Sequence, residues 1–375
     1  MSDRVGIITY HRAVNYGAVL QTYALQTALD ELGIESEIID YRNLRLEKIH
    51  KKRTISECKR AKDFLRFLLF GRMFNKKLLN FRRFSEKHLR LSRPLYSKKE
   101  LESVVDLYRM FIAGSDQIWN YRINDFDSVY FLDFVKDISK KKTYAASFGL
   151  SEIPSEYFDE YSRLFSGFES ILIREAKGAE ILKKQFSIES KVVLDPTMLI
   201  PPTRWLELVG EPSRRLGKYI LVYGFGKSKQ MEALAIKISR NTGMRIIWMG
   251  GKTSLGSMRK FGSVGPCEFL SLVSQAEYVI TNSFHGTALS IVFNRQFFTE
   301  LLPASTCVNS RLEDILDLFG LQNRKFESAD TVLIENKIDY AKVNSKLVEE
   351  RRRSIELLKG AINSDHRIVS GEDAE

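Results

Sequence analysis

Residues 5–40 read VGIITYHRAVNYGAVLQTYALQTALDELGIESEIID, and this stretch decides the fold class. Residues 5–9 are an apolar run of strand length, and residues 35–40 have the composition of a second strand. Residues 18–32 between them have helical periodicity, and Gly33 is suited to end that helix because glycine tolerates a left-handed conformation. A helix that joins two parallel strands opens a doubly wound sheet, so we expect an α/β protein.

The same alternation recurs along the rest of the chain. Further strands are predicted at residues 110–113, 142–146, 170–173, 191–194, 218–223, 244–249 and 278–281. Helices are predicted at residues 230–240, 269–276, 287–293 and 341–361. Because the pattern restarts in the middle of the chain, we expect two doubly wound domains facing across a cleft, residues 1–165 and 166–335. The last ten residues, 366–375, are expected to form a flexible tail.

Composition excludes several classes of protein. With 375 residues, 44% of them hydrophobic, the chain is long enough to bury two cores. Its three cysteines form no C-x-x-C pair and its five histidines form no H-x-x-x-H pair, so neither a disulfide scaffold nor a zinc site is expected. No run of 18 uncharged apolar residues and no signal-peptide core is found. We therefore expect a cytoplasmic protein.

The positive charge is concentrated in residues 42–99, which hold 20 lysines and arginines against 4 acidic residues. The remaining residues hold 38 basic and 43 acidic side chains, a distribution that does not fit a nucleic-acid binder. Apolar residues are interspersed in this basic excursion, most densely at residues 64–70. Two interpretations stay open: a basic amphipathic surface for an anionic membrane or a phosphorylated acceptor, or a helix whose apolar stripe packs on its own domain.

Ligands of open α/β sheets bind at the carboxyl ends of strands, and four loops lie at such ends: residues 11–18, 114–120, 173–175 and 281–287. The first loop precedes a helix whose N-terminal N–H groups favour an anion, although an ordinary turn explains Asn15 and Gly17 equally well. It contains neither G-x-G-x-x-G nor a Walker sequence, which disfavours dinucleotide and P-loop chemistry.

The other three loops carry ionisable side chains. Asp116 directly follows a buried strand, where it is either a catalytic acid or base or a cap of the next turn. Arg174 leaves a strand end and needs a partner, either Glu175 or a substrate anion. His285 stands at a strand-to-helix junction, as a proton-transfer group or as a structural histidine.

Seven motifs in order resemble those of the polysaccharide pyruvyl transferase family. They are Asn15-Tyr16-Gly17-Ala18-Val19-Leu20-Gln21, Gly114-Ser115-Asp116-Gln117-Ile118-Trp119-Asn120, Ile173-Arg174-Glu175, Leu194-Asp195-Pro196-Thr197, Gly265-Pro266 with Phe269-Leu270, residues 281–286, and Ser310-Arg311. The resemblance implies a GT-B-like fold of two Rossmann-like domains, with residues 336–365 forming a helix that packs back on the N-terminal domain. It also implies transfer of a pyruvyl group from phosphoenolpyruvate to two hydroxyls of a sugar, giving a cyclic ketal, in bacterial surface polysaccharide biosynthesis.

The resemblance also implies roles for individual residues. Better-known members carry Arg-Leu-His where this chain has Ser283-Phe284-His285, so Arg311 or Arg295 is expected to supply the missing guanidinium. His285 and Asp116 take the two proton-transfer roles in either order. The expected donor-binding residues, on the C-terminal side, are Arg174, Arg311, Ser283, Asn282, Gly286 and Arg295. The expected acceptor-binding residues, on the N-terminal side, are Asn15, Tyr16, Gly17, Gln21, Gln117, Trp119 and Asn120.

Phosphoenolpyruvate is then a co-substrate, and neither a cofactor nor a metal is expected. The expected partner is a sugar acceptor, with a lipid-diphosphate-linked sugar as one form and the inner face of the membrane as a contact for residues 42–99. Two alternatives stay open: a GT-B glycosyltransferase with a nucleotide-sugar donor, and a non-catalytic scaffold of a glycan-assembly complex.

Overall fold

The computed structural model describes residues 3–57, 60, 64–65, 67–209, 216–250, 261–302 and 309–363. The strands are β1 (Val5–Ile8), β2 (Ser36–Ile38), β3 (Met110–Ala113), β4 (Lys141–Thr143), β5 (Ile171–Ile173), β6 (Ser190–Val192), β7 (Tyr219–Tyr223), β8 (Arg245–Met249), β9 (Tyr278–Thr281), β10 (Gln296–Glu300) and β11 (Lys325–Phe326). The tail expected at residues 366–375 lies outside the described residues.

The α-helices lie between these strands. They are α1 (Tyr16–Glu31), α2 (Leu44–Ile49), α3 (Arg72–His88), α4 (Lys98–Glu102), α5 (Tyr121–Asn124), α6 (Phe158–Phe165), α7 (Ala176–Phe186), α8 (Pro202–Val209), α9 (Lys229–Thr242), α10 (Pro266–Gln275), α11 (Phe284–Val292), α12 (Ser310–Leu318) and α13 (Tyr340–Asn363). A π-helical turn, Phe67–Gly71, precedes α3. The expected α/β architecture is confirmed.

The N-terminal sheet is parallel, in the order β2-β1-β3-β4. Three residues beyond β4, Ala146 forms one β-bridge to Asp116 and another to Ile173 of β5. Strand β6 pairs in turn with β5. The row of parallel strands therefore continues through residue 192. The N-terminal unit thus extends past residue 165, where the sequence pattern placed the division, because β5 pairs beside the β4 end rather than with the second sheet.

The second sheet is also parallel, in the order β11-β10-β9-β7-β8. Strand β10 was absent from the sequence prediction because its two phenylalanines stand between polar residues in a run of only five. Its four residues after Gln296 are nevertheless buried. The two sheets, each covered by helices, are the two Rossmann-like units of a GT-B-like fold.

Helix α1 is the element that both units share. Most of its residues are buried, because it packs against α3 of the basic excursion and also against α10 and α11 of the second unit. Asn15 begins the helix, and its side-chain oxygen accepts a hydrogen bond from the Ala18 N–H at 3.3 Å. The first turn of α1 is thereby held at the boundary of the two units.

The C-terminal helix α13 contacts the first unit. The Leu194 N–H donates to the Ser354 hydroxyl at 3.0 Å, and the Arg351 guanidinium donates to the Met198 carbonyl at 2.9 Å. Near its end, the Ile362 carbonyl accepts from Arg109 at 3.1 Å. The first two bonds hold α13 to the segment that follows β6, and the third holds its end to the residue before β3.

The basic excursion packs part of its apolar stripe inward. Leu78, Phe81 and Phe84 of α3 are buried, and Phe81 lies 5.0 Å from the Tyr16 ring, centroid to centroid. Leu79 on the opposite side of the helix is 46% exposed. Within the described parts of the chain, no helix combines the length and apolar composition needed to cross a membrane.

Candidate active site

A cavity of about 440 Å³ lies where the carboxyl ends of the strands in the two sheets face each other. The first unit lines it with Tyr10, Ala13, Val14, Asn15, Ala18, Leu46, His50, Asp116, Gln117 and Ile123. The second unit lines it with Phe225, Asn282, Ser283, Phe284, His285, Leu302, Arg311 and Leu312. Three of the four loops singled out from sequence thus meet at this cavity.

Asp195, at the turn after β6, lies beneath the cavity and is fully buried. One of its carboxylate oxygens, Oδ1, accepts from the Thr197 N–H and hydroxyl at 3.0 and 2.7 Å. The other, Oδ2, accepts from Arg174 at 2.9 Å and from the Ser115 hydroxyl at 3.3 Å. Burial alone would raise the pKa of Asp195, but His285, Arg174 and the Thr197 hydrogen bond together hold it well below its usual range. Asp195 is therefore a buried carboxylate ion.

Arg174 lies in the remaining loop, residues 173–175, below the cavity floor. Its side chain is only 1% exposed, because three carboxylates and the ring of Phe284 surround it. Asp195 is at 2.9 Å, Asp116 at 3.5 Å and Glu175 at 3.7 Å from its guanidinium nitrogens. Arg174 therefore supports the site from beneath, and it does not line the cavity.

His285 lies in the N-terminal turn of α11, and Ser283 is the capping residue of this helix. Its Nε2 lies 3.5 Å from Oδ2 of Asp195. Its Nδ1 side faces Gly17 in the first turn of α1, and a β-carbon at residue 17 would overlap the ring. The imidazole is thus held between a buried carboxylate and the helix that borders the cavity.

Asp116 turns its carboxylate toward the cavity from the loop after β3. Its backbone has a φ of 75°, in the left-handed region that aspartate tolerates better than most residues. The neighbouring Gln117 N–H donates to its Oδ1 at 2.8 Å. Asp116 and His285 therefore line one cavity from opposite units.

Arg311, near the start of α12, is the cation that lines the cavity from the second unit. Burial and the neighbouring Arg174 lower its pKa to about 10. Among the described residues no carboxylate lies within ion-pair distance, and its Nε has no hydrogen-bond partner. With its amide oxygen turned toward the guanidinium, Gln117 accepts from both Nη atoms at 3.0 and 3.1 Å. Arg311 is therefore a buried cation without a counter-ion in this part of the chain.

The remaining predicted residues fall into two groups. Asn15, Asn282 and Ser283 line the cavity, and Gly286 supplies the N–H that Ser283 caps at 3.4 Å. The others lie behind the lining: Tyr16, Gly17, Gln21, Trp119 and Asn120. Gln21 is buried between the Thr9 hydroxyl and the Ser115 N–H, and Trp119 donates to the Tyr130 carbonyl inside an aromatic cluster.

Arg295 is not brought to the cavity. It follows the far end of α11, where its guanidinium donates to the carbonyls of Phe293 and Ala276. Of the two arginines expected to replace the guanidinium missing at Ser283, Arg311 lines the cavity with His285 and Arg295 does not.

Sequence reasoning gave no role to Asp195 or Glu300, although Asp195 directly follows the strand predicted at residues 191–194. Glu300, at the end of β10, accepts from the Ser228 hydroxyl and the Asn282 amide, and its burial raises its pKa. Asn282 also bonds both backbone groups of Phe225, so Glu300 positions a cavity-lining side chain. Within the described ranges no three metal-binding side chains cluster.

Comparison with solved structures returns distant likenesses over almost the whole chain. Staphylococcus aureus MnaA bound to UDP is 12% identical, with a TM-score of 0.49 and full coverage of both chains. A putative UDP-N-acetylglucosamine 2-epimerase from Listeria monocytogenes is 10% identical, with a TM-score of 0.48 over 100% of this chain and 99% of that one. The wall teichoic acid polymerase TagF is 9% identical, with a TM-score of 0.48 over 97% and 90%. No curated protein matches the chain significantly.

Two parallel sheets with a charged cavity between their carboxyl ends define a GT-B-like protein. A family model, polysaccharide pyruvyl transferase, matches residues 15–299, a range that begins at the first cavity loop and ends in β10. The chain belongs to the polysaccharide pyruvyl transferase family.

The contact between Gly17 and His285 predicts that Gly17→Ala destabilises the protein. The added methyl overlaps the imidazole ring, so the free energy of unfolding should fall by about 1–3 kcal/mol, as for other overpacked cores. Gly360→Ala is the matched control, because nothing lies within 4 Å of a β-carbon there and alanine favours a helix. Urea unfolding of both variants measures the change in unfolding free energy. Equal stabilisation by the two substitutions would contradict the contact between Gly17 and His285.

The depressed pKa of Asp195 predicts a pH-dependent effect of Asp195→Asn. At pH 7 the variant leaves Arg174 without its closest carboxylate, which should cost about 3–5 kcal/mol of unfolding free energy. The carboxylate stabilises the fold above the pKa of an unfolded aspartate, about 3.9, and this stabilisation is lost as the pH falls further.

The difference in unfolding free energy between the wild type and Asp195→Asn should therefore become progressively smaller below about pH 4. Urea unfolding at a series of pH values measures it, with Asp106→Asn, at an exposed position, as the control. A difference that does not change with pH would contradict an ionised Asp195.

Proposed function

We propose that this protein transfers a pyruvyl group from phosphoenolpyruvate onto two hydroxyls of a sugar acceptor, forming a cyclic ketal. The observation that carries the proposal is Arg311, a buried cation that lines the same cavity as His285 and has, among the described residues, no carboxylate within ion-pair distance. A buried guanidinium without a counter-ion is unfavourable until an anion binds, and phosphoenolpyruvate supplies a carboxylate and a phosphate.

Helix N-termini support the same donor site. Asn15 and Ser283 are the N-cap residues of α1 and α11, and both line the cavity. Arg311 lies in the first turn of α12. The N-terminal ends of these three helices carry partial positive charge, which favours a bound anion. Arg174 contributes indirectly, since its charge is already matched by three carboxylates.

His285 is the proton donor in this mechanism. The Asp195 carboxylate lies 3.5 Å from Nε2 and orients the ring. The imidazolium transfers its proton to the methylene carbon of phosphoenolpyruvate, and C2 becomes an oxocarbenium-like centre. Arg311 balances the anionic donor while this carbon–hydrogen bond forms.

Asp116 is the base for the first sugar hydroxyl. The hydroxyl oxygen forms a bond to C2 while its proton passes to the Asp116 carboxylate. The bond between C2 and the phosphate oxygen then breaks, and a second hydroxyl attacks C2 and returns a proton to His285. The proton held by Asp116 leaves with the released phosphate, so one ketal and one phosphate form and both side chains recover their starting states.

Binding of the donor is predicted to depend on Arg311. In calorimetric titrations, Arg311→Met should weaken phosphoenolpyruvate binding at least about tenfold, since hydrogen bonds to a charged group contribute about 1.5–3 kcal/mol. Arg295→Met, which removes a guanidinium far from the cavity, should leave the affinity unchanged. His285→Ala should retain donor binding and lose phosphate release about 100-fold or more over a panel of sugar acceptors.

Two results would overturn the proposal. One is saturable binding of a nucleotide-sugar without binding of phosphoenolpyruvate, which would indicate a glycosyltransferase. The other is equal loss of affinity in the Arg311 and Arg295 variants, which would mean that the donor does not contact Arg311.

We also propose that the exposed side of α3 contacts an anionic membrane. Arg72, Lys76, Arg82, Arg83 and Lys87 are exposed on this helix. Seven of the fifteen exposed large hydrophobic side chains of the described residues fall between residues 44 and 79: Leu44, Ile49, Ile55, Phe64, Leu65, Leu68 and Leu79. Basic and apolar side chains exposed together suit the surface of an anionic bilayer.

Charge reversal tests this contact. Arg82→Glu with Arg83→Glu should lower co-sedimentation with phosphatidylglycerol vesicles at least about tenfold, since each basic residue near such a surface contributes about 1 kcal/mol. Arg352→Glu with Lys359→Glu, exposed on α13, is a control with the same change in charge. Equal binding by both double variants would rule out α3 as the contact.

A further inference from the structure

His50 lines the cavity from the first unit and has no part in the mechanism above. It is the residue that ends α2, where its backbone N–H donates to the Leu46 carbonyl at 3.0 Å. Leu46 lies one helical turn before His50, and both side chains line the cavity. The helix α2 therefore brings one apolar and one polar side chain to the same wall.

A hydrogen bond from the main chain decides which nitrogen of the His50 ring carries the proton. The Val14 N–H donates to Nδ1 at 3.5 Å. Because a backbone N–H can only donate, Nδ1 is an acceptor and the proton of the neutral ring is on Nε2. Burial lowers the pKa of His50, the Lys77 ammonium adds to this shift, and Glu47 opposes it. His50 is therefore a neutral imidazole with one N–H to donate.

This Nε2–H group has no hydrogen-bond partner among the described residues. Asp116 lines the cavity from the same unit. The Gln117 N–H and the Arg174 guanidinium both approach its Oδ1, at 2.8 and 3.5 Å. The first unit thus presents a hydrogen-bond donor at His50 and a hydrogen-bond acceptor at Asp116.

The hydroxyls of a sugar match such a wall, because each hydroxyl both donates and accepts a hydrogen bond. In the mechanism above, Asp116 takes the proton of a hydroxyl that attacks C2. An N–H directed at the oxygen of that hydroxyl would withdraw electron density from the attacking lone pair. The donor of His50 is therefore suited to a hydroxyl that does not react.

We propose that His50 selects the acceptor sugar by donating its Nε2–H to the oxygen of a hydroxyl that is not ketalised. This inference rests on the proposed function, because it places the sugar against the first unit and the anionic donor at Arg311. The ligand is then a sugar with a third hydroxyl close to the reacting pair. A sugar without that hydroxyl leaves the N–H unpaired and is bound less well.

Steady-state phosphate release from phosphoenolpyruvate, over a panel of methyl hexosides, tests this role. His50→Leu should raise the KM of the acceptor about fivefold, the effect of one neutral hydrogen bond, and leave kcat and the KM of phosphoenolpyruvate unchanged. His50→Gln should restore the acceptor KM, because the glutamine amide places an N–H near the position of Nε2. His88→Leu is the matched control, since His88 packs against Phe84 and does not line the cavity.

Monodeoxy forms of the best acceptor identify the hydroxyl that His50 contacts. One of them should raise the KM of the wild type about fivefold and show no further increase with His50→Leu, because both changes remove the same hydrogen bond. The inference is overturned if the effects of His50→Leu and of every monodeoxy sugar simply add. It is also overturned if His50→Leu and His88→Leu raise KM equally, or if His50→Leu lowers kcat alone.

Nitrogen NMR of the histidine rings separates this inference from the proposed function, because it needs no turnover. The His50 signal, identified by its loss in His50→Gln, should show the Nε2–H tautomer. Methyl hexosides, with or without phosphoenolpyruvate, should shift this signal and leave that of His88 unchanged. An Nδ1–H tautomer, or no shift with any of these sugars, overturns the role of His50. A shift without phosphate release in the wild type would overturn the proposed function and retain His50 as a sugar-binding residue.

Discussion

The buried carboxylate of Asp195 is the interaction on which the site depends. Its two oxygens hold the Thr197 turn, the Ser115 loop and the Arg174 guanidinium, and they face His285 from the second unit. A charge so deeply buried is stable only when it is fully paired. The strand ends of the first sheet and His285 of the second unit are therefore positioned by one ionised group.

The other charged side chains around Asp195 differ in how they are paired. Arg174 is surrounded by Asp195, Asp116 and Glu175, so its charge is used inside the protein. Among the described residues Arg311 has no carboxylate within ion-pair distance, and its Nη atoms donate to the neutral amide oxygen of Gln117. The difference in pairing separates Arg174 from Arg311, which residue type alone does not do.

Periodicity predicted most of the strands and helices because a parallel strand buried on both faces is a short apolar run, as in Val5–Ile8 and Tyr219–Tyr223. It missed Gln296–Glu300, whose apolar residues stand between polar ones. It also divided the units at residue 165, because a restart of the α/β pattern does not reveal with which sheet the next strand pairs. The bridge from Ala146 to Ile173 shows that β5 lies beside the first sheet.

The sequence alone determined the α/β class, the family resemblance and the loops that carry Asp116, Arg174 and His285, because each depends on residue order along one strand or helix. Only the tertiary structure decided which of these side chains share a cavity. Arg174 and Arg295 were candidates equal to Arg311 in sequence, but packing buries one among carboxylates and directs the other to backbone carbonyls. Burial and pairing depend on residues far apart in the chain, so no local pattern could distinguish the three arginines.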